Sequence, residues 1–263
     1  YANPSGSHRF SRQARQAVDE ARDVVASVIG CLPGEVVFTG CGTEADNAAV
    51  TGVIRRRGGV AVCPSAEHHA VLHCVEHVGG RVVAVNAHGS VDLVALESSL
   101  DDDVTCVSVM AVNNEVGTIT DLTAVASVVR RLAPRALLHT DAVQAASWID
   151  LRKIWAHVDA MSLSAHKFGG PKGVGVLAVR QGVVFEPVIL GGGQERDRRS
   201  GTHNVAGIVS CAEALRLTDL ERERECSRIQ GLRETLTARL CAVDGVSRTV
   251  PDSVSVPGVA HFC

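Results

Sequence analysis

The sequence predicts an α/β fold in which a mainly parallel sheet is covered by helices on both faces. Strand-sized apolar segments alternate with helical patterns from Val36 to Thr140, and this alternation is typical of parallel sheets. A glycine-rich turn, Gly40–Thr43, joins the first of these strands to the next helix. The contents of 46% hydrophobic and 21% charged residues are close to globular averages. The 263 residues correspond to one or two domains at about 150 residues each.

The first elements follow from apolar spacing and from the residues that interrupt it. A helix is predicted from about Gln13 to Ile29, where apolar side chains recur at helical spacing, and Pro33-Gly34 ends it. Val36–Thr39 is a short apolar run that predicts a strand, and it leads into Gly40–Thr43. A second helix is predicted from Glu44 to Arg57. This segment is therefore a strand, a glycine turn and a helix.

The same alternation continues along the chain. Further strands are predicted over 60–63, 81–85, 104–109 and 136–140, and further helices over 67–78, 93–100 and 122–132. The pattern then changes to two short strands near 159–163 and 174–179, which flank the loop Ser164–Pro171. A chain with this order of elements predicts one sheet that carries loops at the carboxyl ends of its strands, where α/β proteins bind ligands.

The C-terminal part of the sequence predicts one long helix over 205–241, which follows the glycine-rich stretch Gly191–Gly193. Charges alternate within this helix at Glu221–Glu225, a pattern typical of a solvated helix face. We place a domain boundary there. Residues 1–220 then form a large domain, and residues 221–263 begin a smaller α+β domain.

Composition excludes several classes of function. The 26 Lys and Arg against 29 Asp and Glu give a net charge of −3, which offers no general attraction to nucleic acid. With two Trp, one Tyr and five Phe, the chain has few side chains for stacking on bases. No apolar run reaches the roughly 20 residues of a membrane-spanning helix, and the polar N-terminus is not a signal peptide. The sequence therefore predicts no nucleic-acid and no membrane partner.

Nine cysteines are scattered without a C-x-x-C pair, and most lie inside apolar segments, as reduced core cysteines do. This predicts a cytoplasmic protein. The chain starts without Met and ends inside an apolar run, Val259–Cys263. We therefore expect it to be a fragment, with a processed protein as the alternative.

Two strand ends carry groups suited to an anionic or cationic ligand. The glycines of Gly40–Glu44 allow backbone N–H groups to approach an anion at a helix N-terminus, although Thr43 could equally be an ordinary N-cap. Asp141 follows a predicted strand, and Gln144 lies three residues later. A carboxylate there can hold a proton on a cationic ligand nitrogen, or it can cap the next helix.

Lysine is rare, since only Lys153, Lys167 and Lys172 are present among the 26 basic residues. An amine can form a Schiff base, which a guanidinium cannot. Lys167 lies between His166 and Phe168 in a loop that connects two strands, so it is the best candidate for such chemistry. Lys153 and Lys172 fit exposed surface positions better.

A stripe of histidines, His69, His73 and His77, falls at helical spacing. Two such side chains could hold a metal ion. The sequence offers no obvious carboxylate or cysteine to complete the site, so we interpret the stripe as a solvated face and predict no metal.

Seven motifs in this order resemble the cysteine desulfurases of the class V aminotransferases, which use pyridoxal 5′-phosphate (PLP). The resemblance covers essentially the whole chain. The matching segments are Asn3–His8, Phe38–Asn47, Glu67–Val71, Asn113–Gly117, His139–Gln144, Ser162–Gly173 and Gly191–Thr202. It implies a fold-type-I PLP-dependent transferase with a mainly parallel mixed sheet. It also implies a homodimer.

The resemblance assigns roles to individual residues. It implies that Lys167 forms the Schiff base with PLP, that His68 stacks on the ring and moves protons, and that Asp141 pairs with the pyridinium nitrogen. Gln144 would contact the phenolic oxygen, and Asn114 would lie nearby toward the substrate. The residues implied for the phosphate are Gly42, Thr43, Ser164 and His166, with Thr202 donated by the neighbouring subunit.

The chain departs from the family at its C-terminal end. Family members carry a nucleophilic cysteine on a mobile loop beyond the region that matches Val259–Cys263, and then an arginine for the substrate carboxylate; neither is present here. Cys263 falls where the family has a core strand, so we do not assign it as the nucleophile. The resemblance thus implies L-cysteine as substrate and a sulfur-acceptor protein such as an iron–sulfur scaffold, but it predicts no sulfur release by this chain.

Three alternatives stay open from the residues alone. A related aminotransferase or a selenocysteine lyase would use the same PLP residues, because these residues do not fix the reaction. A non-catalytic protein could also retain the fold, although Lys167, Asp141, Gln144 and His68 are all present.

Overall fold

A computed structural model describes residues 2–263, and its centre is one seven-stranded sheet. The strands are β1 (Val36–Thr39), β2 (Val60–Pro64), β3 (Arg81–Val83), β4 (Val104–Ser108), β5 (Leu137–Asp141), β6 (Ala160–Ser164) and β7 (Gly175–Val179). Their spatial order is β1-β7-β6-β5-β4-β2-β3. Each strand predicted from the sequence is present, with ends that differ by at most two residues.

The helices that cover the sheet also follow the predicted order. They are α1 (Arg9–Ile29), α2 (Gly42–Arg57), α3 (His69–His77), α4 (Leu93–Ser98), α5 (Leu122–Leu132), α6 (Leu151–Trp155) and α7 (Val205–Leu240). Helix α1 begins four residues before the predicted start, because the His8 ring accepts the Ser11 N–H at 3.3 Å and caps it. Helix α6 was not predicted, since five residues are too few to show a helical period.

The sheet is mixed because of a single reversed strand. Strands β2, β3, β4, β5 and β6 pair in parallel, whereas β7 pairs antiparallel with both β6 and β1. The chain passes from β6 to β7 through residues 165–174, a short connection. Parallel neighbours need a crossover of a dozen residues or more, usually with a helix, so the short loop requires the reversal. The predicted mainly parallel, mixed sheet is confirmed.

Two apolar cores lie on opposite faces of the sheet. Successive residues of one strand enter different cores, as strand geometry requires: Val36 and Phe38 pack in the core that contains α1, α5 and α7, whereas Val37 packs with α2 and α3. The predicted covering of both faces is therefore present. Helices α2 and α3, which cover the same face, each begin shortly after the carboxyl end of a strand, β1 and β2 respectively.

Helix α7 is continuous over 36 residues. Its first part packs against α1 and buries Ile208, Cys211, Ala212 and Leu215, whereas Leu220 and Leu232 further along are exposed. The predicted boundary between 220 and 221 falls inside this helix, and the division into two domains stays a prediction. Across residues 2–263, no helix combines the length and the apolar character needed to cross a membrane.

Candidate cofactor site

A cavity of about 390 Å³ opens at the carboxyl ends of the central strands. Nine of the ten site residues predicted from the sequence line this cavity: Gly42, Thr43, His68, Asn114, Asp141, Gln144, Ser164, His166 and Lys167. The tenth, Thr202, is exposed and does not line it. The volume is in the range of small-molecule sites, so the structure gathers residues that span 125 positions of the sequence into one pocket.

One end of the cavity is suited to an anion. Helix α2 begins at Gly42, and its N-cap is Cys41, whose Sγ accepts the Glu44 N–H at 3.4 Å. Thr43, which the sequence left open as an N-cap, lies in the first turn instead and lines the cavity. The free N–H groups and the dipole of the helix favour a negative group here.

Gly42 allows the end of β6 to approach this helix closely. A Cβ at position 42 would lie 2.8 Å from Val143 Cγ2 and 3.1 Å from Ser164 Cβ. The Ser164 Oγ is 3.0 Å from His166 Nδ1, so the two side chains form a hydrogen-bonded pair. Burial, together with two lysine charges, lowers the pKa of His166. At neutral pH the ring is therefore a neutral hydrogen-bonding group beside the helix N-terminus.

Asp141 is the last residue of β5 and is buried. Its Oδ1 accepts the Val143 N–H at 2.8 Å, so the carboxyl does cap the following turn, as the alternative interpretation allowed. It also lines the cavity. Burial raises its pKa, whereas the Val143 hydrogen bond and the charges of His68 and Lys167 lower it. A cationic group in the cavity would stabilise its ionised form further.

Lys167 lies in a short helical turn, Ala165–Phe168, between β6 and β7. The buried Phe168 side chain anchors this turn, and Gly169 ends it at φ 82°, in the left-handed region that glycine favours. Lys167 is exposed to the cavity, whereas Lys153 and Lys172 do not line it. Within residues 2–263 it is therefore the single amine available to a ligand there.

His68 is the N-cap of α3, and its Nδ1 accepts the Ala70 N–H at 3.1 Å. Because this nitrogen accepts a hydrogen bond, the neutral ring carries its proton on Nε2. The preceding residue, Glu67, is buried, and its Oε1 accepts the Met110 N–H at 2.6 Å. This bond ties the start of α3 to the segment after β4, so it fixes the position of His68.

The opposite wall is a turn that contains Asn114. The buried Asn113 holds this turn, since its Oδ1 accepts the N–H groups of Glu115 and Val116, each at 3.0 Å. Its Nδ2 donates to the Ala66 carbonyl at 3.1 Å, beside His68. Asn114 and His68 thus lie on segments that one buried amide connects.

Sequence reasoning missed a group of buried polar residues beneath the cavity. They are Asp46, Glu67 and His139, together with Ser108 and Ser162. Asp46 could have been noticed, since it lies in α2 three residues before Ala49 and seven before Val53, in the apolar stripe of that helix. An acid at a core position of a helix is an exception that requires a reason.

The glycine-rich segment before α7 is held by a second buried network. The Glu195 carboxylate accepts the Arg22 guanidinium at 2.6 and 2.8 Å, the Phe38 N–H at 2.8 Å, and lies 2.7 Å from His203 Nε2. The Arg199 guanidinium also donates to Glu44 at 2.9 Å. These contacts hold 191–202 against β1 and the start of α2, so Thr202 lies on a segment joined to the anion-binding end.

The histidine stripe lies on α3, as predicted. The rings of His69 and His73 stack with centroids 4.7 Å apart. Among residues 2–263, no group of three or more His, Cys, Asp or Glu side chains is placed to hold a metal ion.

The nine cysteines are all unpaired. Burial raises the pKa of Cys63, Cys74, Cys106 and Cys211, so these are inert core thiols. Cys263 is exposed and lies 3.5 Å from Thr249 Oγ1, and its backbone exchanges two hydrogen bonds with Ser247.

The donor set of the cavity fits PLP. It offers a helix N-terminus with hydroxyl groups for a phosphate, an amine for the aldehyde, and a buried carboxyl for a ring nitrogen, all in one pocket. The close approach at Gly42, which a Cβ would obstruct, leaves the backbone accessible at the phosphate end. The phosphate site, the amine and the buried carboxyl would each bind a different part of PLP. Their presence in one pocket is therefore specific for this kind of ligand.

Comparisons with known proteins agree with this chemistry. The family model described as Aminotransferase class-V matches residues 1–262. The chain is 39% identical over 242 residues to the cysteine desulfurase IscS of Dictyoglomus turgidum, covering 89% of this chain and 61% of that protein. It is 40% identical to the IscS-like cysteine desulfurase of Mycobacterium tuberculosis, covering 99% of this chain and 70% of that one.

Solved structures show the same fold. A protein titled NifS-like matches with a TM-score of 0.92 at 38% identity, over 98% of this chain and 72% of that one. A structure titled SspA in complex with cysteine matches with a TM-score of 0.80 at 29% identity, over 95% of this chain and 72% of that one. The fold predicted as fold-type I is confirmed by these neighbours. The chain belongs to the class-V aminotransferase family, in its cysteine desulfurase group.

Proposed function

We propose that this chain binds PLP in the cavity and that Lys167 holds the cofactor covalently. The observation that carries the proposal is the convergence of Lys167, Asp141, His68 and the N-terminus of α2 on one cavity. Thr43, Ser164 and His166 would bind the phosphate with the free N–H groups of the helix. The Asp141 carboxylate would pair with the pyridine nitrogen and keep it protonated.

The bound cofactor supplies an electron sink that lets a proton leave the α-carbon of an amino acid. The chain contributes positioning and proton transfer. His68, with its proton on Nε2, would lie against the ring, where α3 and the Glu67 bond to Met110 hold it. The Lys167 amine, when not bonded to the cofactor, would be placed in the same cavity to accept the α-proton. Gln144 and Asn114 would orient polar groups of the cofactor and the substrate from the opposite wall.

We infer that the whole protein removes sulfur from L-cysteine, giving L-alanine and sulfur on an enzyme cysteine. The support comes from the cysteine desulfurase relatives and from a structural neighbour whose title includes cysteine. The chain spans about 61% of the length of the Dictyoglomus turgidum relative, so this activity is proposed for the whole protein. A sulfur-acceptor protein, such as an iron–sulfur scaffold, is proposed as its partner.

Borohydride reduction in the presence of PLP tests the binding proposal. We expect mass spectrometry to find the cofactor on Lys167 and the Lys167→Ala variant to retain none. Lys172→Ala is the matched control, because Lys172 lies in the same loop, is exposed and does not line the cavity. Trapping on Lys172 or Lys153, or no trapping in a folded sample, would refute the assignment.

We also propose that the 263-residue chain alone releases no sulfur. Of the described cysteines, only Cys41 lines the cavity, and its Sγ caps α2 at the end assigned to the phosphate. We expect sulfide production from L-cysteine with PLP and a reductant to equal that of Lys167→Ala. Production above this control would contradict the proposal, and its loss in Cys41→Ala would then identify Cys41 as the nucleophile.

We propose a homodimer, in which Thr202 completes the phosphate site of the partner subunit. Thr202 is exposed on a segment held by Glu195 and Arg199, so it is available to a second copy. A cytoplasmic location is proposed from the unpaired cysteines. Sedimentation of the chain with PLP tests the dimer.

A further inference from the structure

Two buried carboxyl groups line the cavity, although the proposed function uses only one. Asp46 and Asp141 both line it, with relative exposures of 1% and 6%. His139 and Asp141 are two residues apart in β5, so their side chains lie on the same face of the sheet. Asp46 Oδ1 lies 3.7 Å from His139 Nε2, which places Asp46 of α2 over that face.

Among the described residues, no side chain other than His139 lies within ion-pair distance of Asp46. Lys167 and His68 line the same cavity, and their charges act on Asp141. Asp46 Oδ1 has no hydrogen-bond partner among the described residues. Both nitrogens of His139 are engaged elsewhere, since Nδ1 lies 2.8 Å from Ser108 Oγ and Nε2 lies 2.9 Å from Ser162 Oγ. Burial lowers the pKa of His139 to about 3, so this ring is neutral at ordinary pH.

Apart from Lys167, His68 and His166 of the same cavity, the titratable groups near Asp46 are acids and thiols. They are Asp141, Glu67, Cys41 and Cys74, beside the neutral His139. Burial is the largest cause that raises the pKa of Asp46, followed by the charge of Asp141, whereas a hydrogen bond from Ser162 lowers it. Two neighbouring buried carboxyls without a shared cation do not both ionise.

Asp141 has the better surroundings for an anion. Its Oδ1 accepts the Val143 N–H, and the charges of Lys167 and His68 both lower its pKa. A single proton in this pair is therefore more stable on Asp46 than on Asp141. We propose that Asp46 and Asp141 hold one proton between them, located on Asp46, and that Asp46 is thereby a positioning residue that keeps Asp141 ionised toward the cofactor. The part about the cofactor rests on the proposed function.

The proton can be counted in the cofactor-free chain. The unfolded chain holds no proton on these aspartates above about pH 5, so one bound proton makes the unfolding constant rise up to about tenfold per pH unit. We expect Asp46→Asn, which keeps the shape, to remove this component between pH 5 and 8. Adding Asp141→Asn is expected to cause no further change in the slope of the unfolding constant against pH.

Other results would overturn the assignment. An unchanged slope in Asp46→Asn would mean that Asp46 is ionised, and a further loss of slope in the double variant would mean that each acid holds its own proton. Glu35→Gln is the matched control, since Glu35 is also buried but accepts the N–H groups of Leu32 and Gln181 and does not line the cavity. It is expected to leave the comparison between the single and double variants unchanged.

The role toward the cofactor has a spectroscopic test. With PLP bound, loss of the proton from Asp46 as the pH rises adds a charge beside Asp141. The visible absorbance of the bound cofactor is expected to show this change with pH in the unaltered chain and not in Asp46→Asn. The same change in both would overturn the positioning role. If no variant binds PLP, the proposed function fails, whereas the proton count in the cofactor-free chain still decides the proton assignment.

Discussion

Replacing Glu195 by glutamine is expected to destabilise the fold by about 3 kcal/mol at pH 7. The Arg22 guanidinium and His203 hold the pKa of this carboxyl at about 2, against an ordinary value of 4.5, despite its burial. A shift of this size corresponds to about 3 kcal/mol. Removing one partner of a buried ion pair costs a similar amount, because the other charge remains unpaired. Urea or guanidinium unfolding measures the loss.

The stability that Glu195 contributes depends on pH, and the direction of this dependence can be predicted. The folded pKa is depressed, so the carboxylate contributes stability above its ordinary pKa, and this contribution is lost as pH falls from about 4.5 toward 2. The difference between Glu195→Gln and the unaltered chain should therefore shrink below about pH 4. Glu213→Gln is the control, since Glu213 pairs with Arg216 at the exposed surface of α7, where ion pairs contribute little. Equal stability of Glu195→Gln and the unaltered chain at pH 7 would contradict the prediction.

The same substitution should loosen the segment that carries Thr202. Glu195, Arg196 and Asp197 all have positive φ values, of 49°, 58° and 63°. Non-glycine residues in the left-handed region are strained and persist where surrounding contacts hold them. The bonds from Glu195 to Arg22 and Phe38 are such contacts. Faster amide hydrogen exchange across 191–202 in Glu195→Gln is expected.

The sequence alone was sufficient for the order of elements and for most of the candidate site. Alternating strands and helices place their connecting loops at one edge of the sheet, so the sequence alone assigns Gly42, Asp141 and Lys167 to one region. The reversal of β7 was not predicted, because apolar runs such as Val174–Val179 carry no information on strand direction. Helix α6 was missed because its five residues are too few to show apolar side chains repeating at helical spacing.

The residues missed in the site act through tertiary contacts. Asp46 and His139 come together only because α2 packs across β5 and β6, and no local spacing relates positions 46 and 139. Glu195 meets Arg22 across 173 positions. A buried polar residue is visible in a sequence as an exception in an apolar stripe, but its partner is not. The proposed roles of Asp46 and Glu195 therefore depend on the fold.

Measuring the stability of the fold as the pH falls tests whether the buried His139 ring stays neutral. Burial lowers its pKa from 6.5 to about 3, so below pH 6.5 the unfolded chain binds a proton that the folded chain does not. Stability then falls as pH decreases, by about 1.4 kcal/mol per pH unit from this residue. Between pH 7 and 4 the loss is about 3 kcal/mol. The buried acids Asp46 and Glu67 act in the opposite direction, since their raised pKa values let the folded chain bind protons first.

The pH dependence of the stability of the unaltered chain contains all of these contributions. The difference in stability between the unaltered chain and His139→Gln isolates the contribution of His139. His139→Gln removes the imidazole and is expected to be less stable at pH 7, because Ser108 and Ser162 lose their partner. On acidification to pH 4 the variant should lose about 3 kcal/mol less than the unaltered chain. Equal losses would mean that the folded protein accommodates a protonated ring, and the 3.7 Å approach of Asp46 would then be an ion pair. The same measurement thus decides between a neutral and a charged pair beneath the cavity.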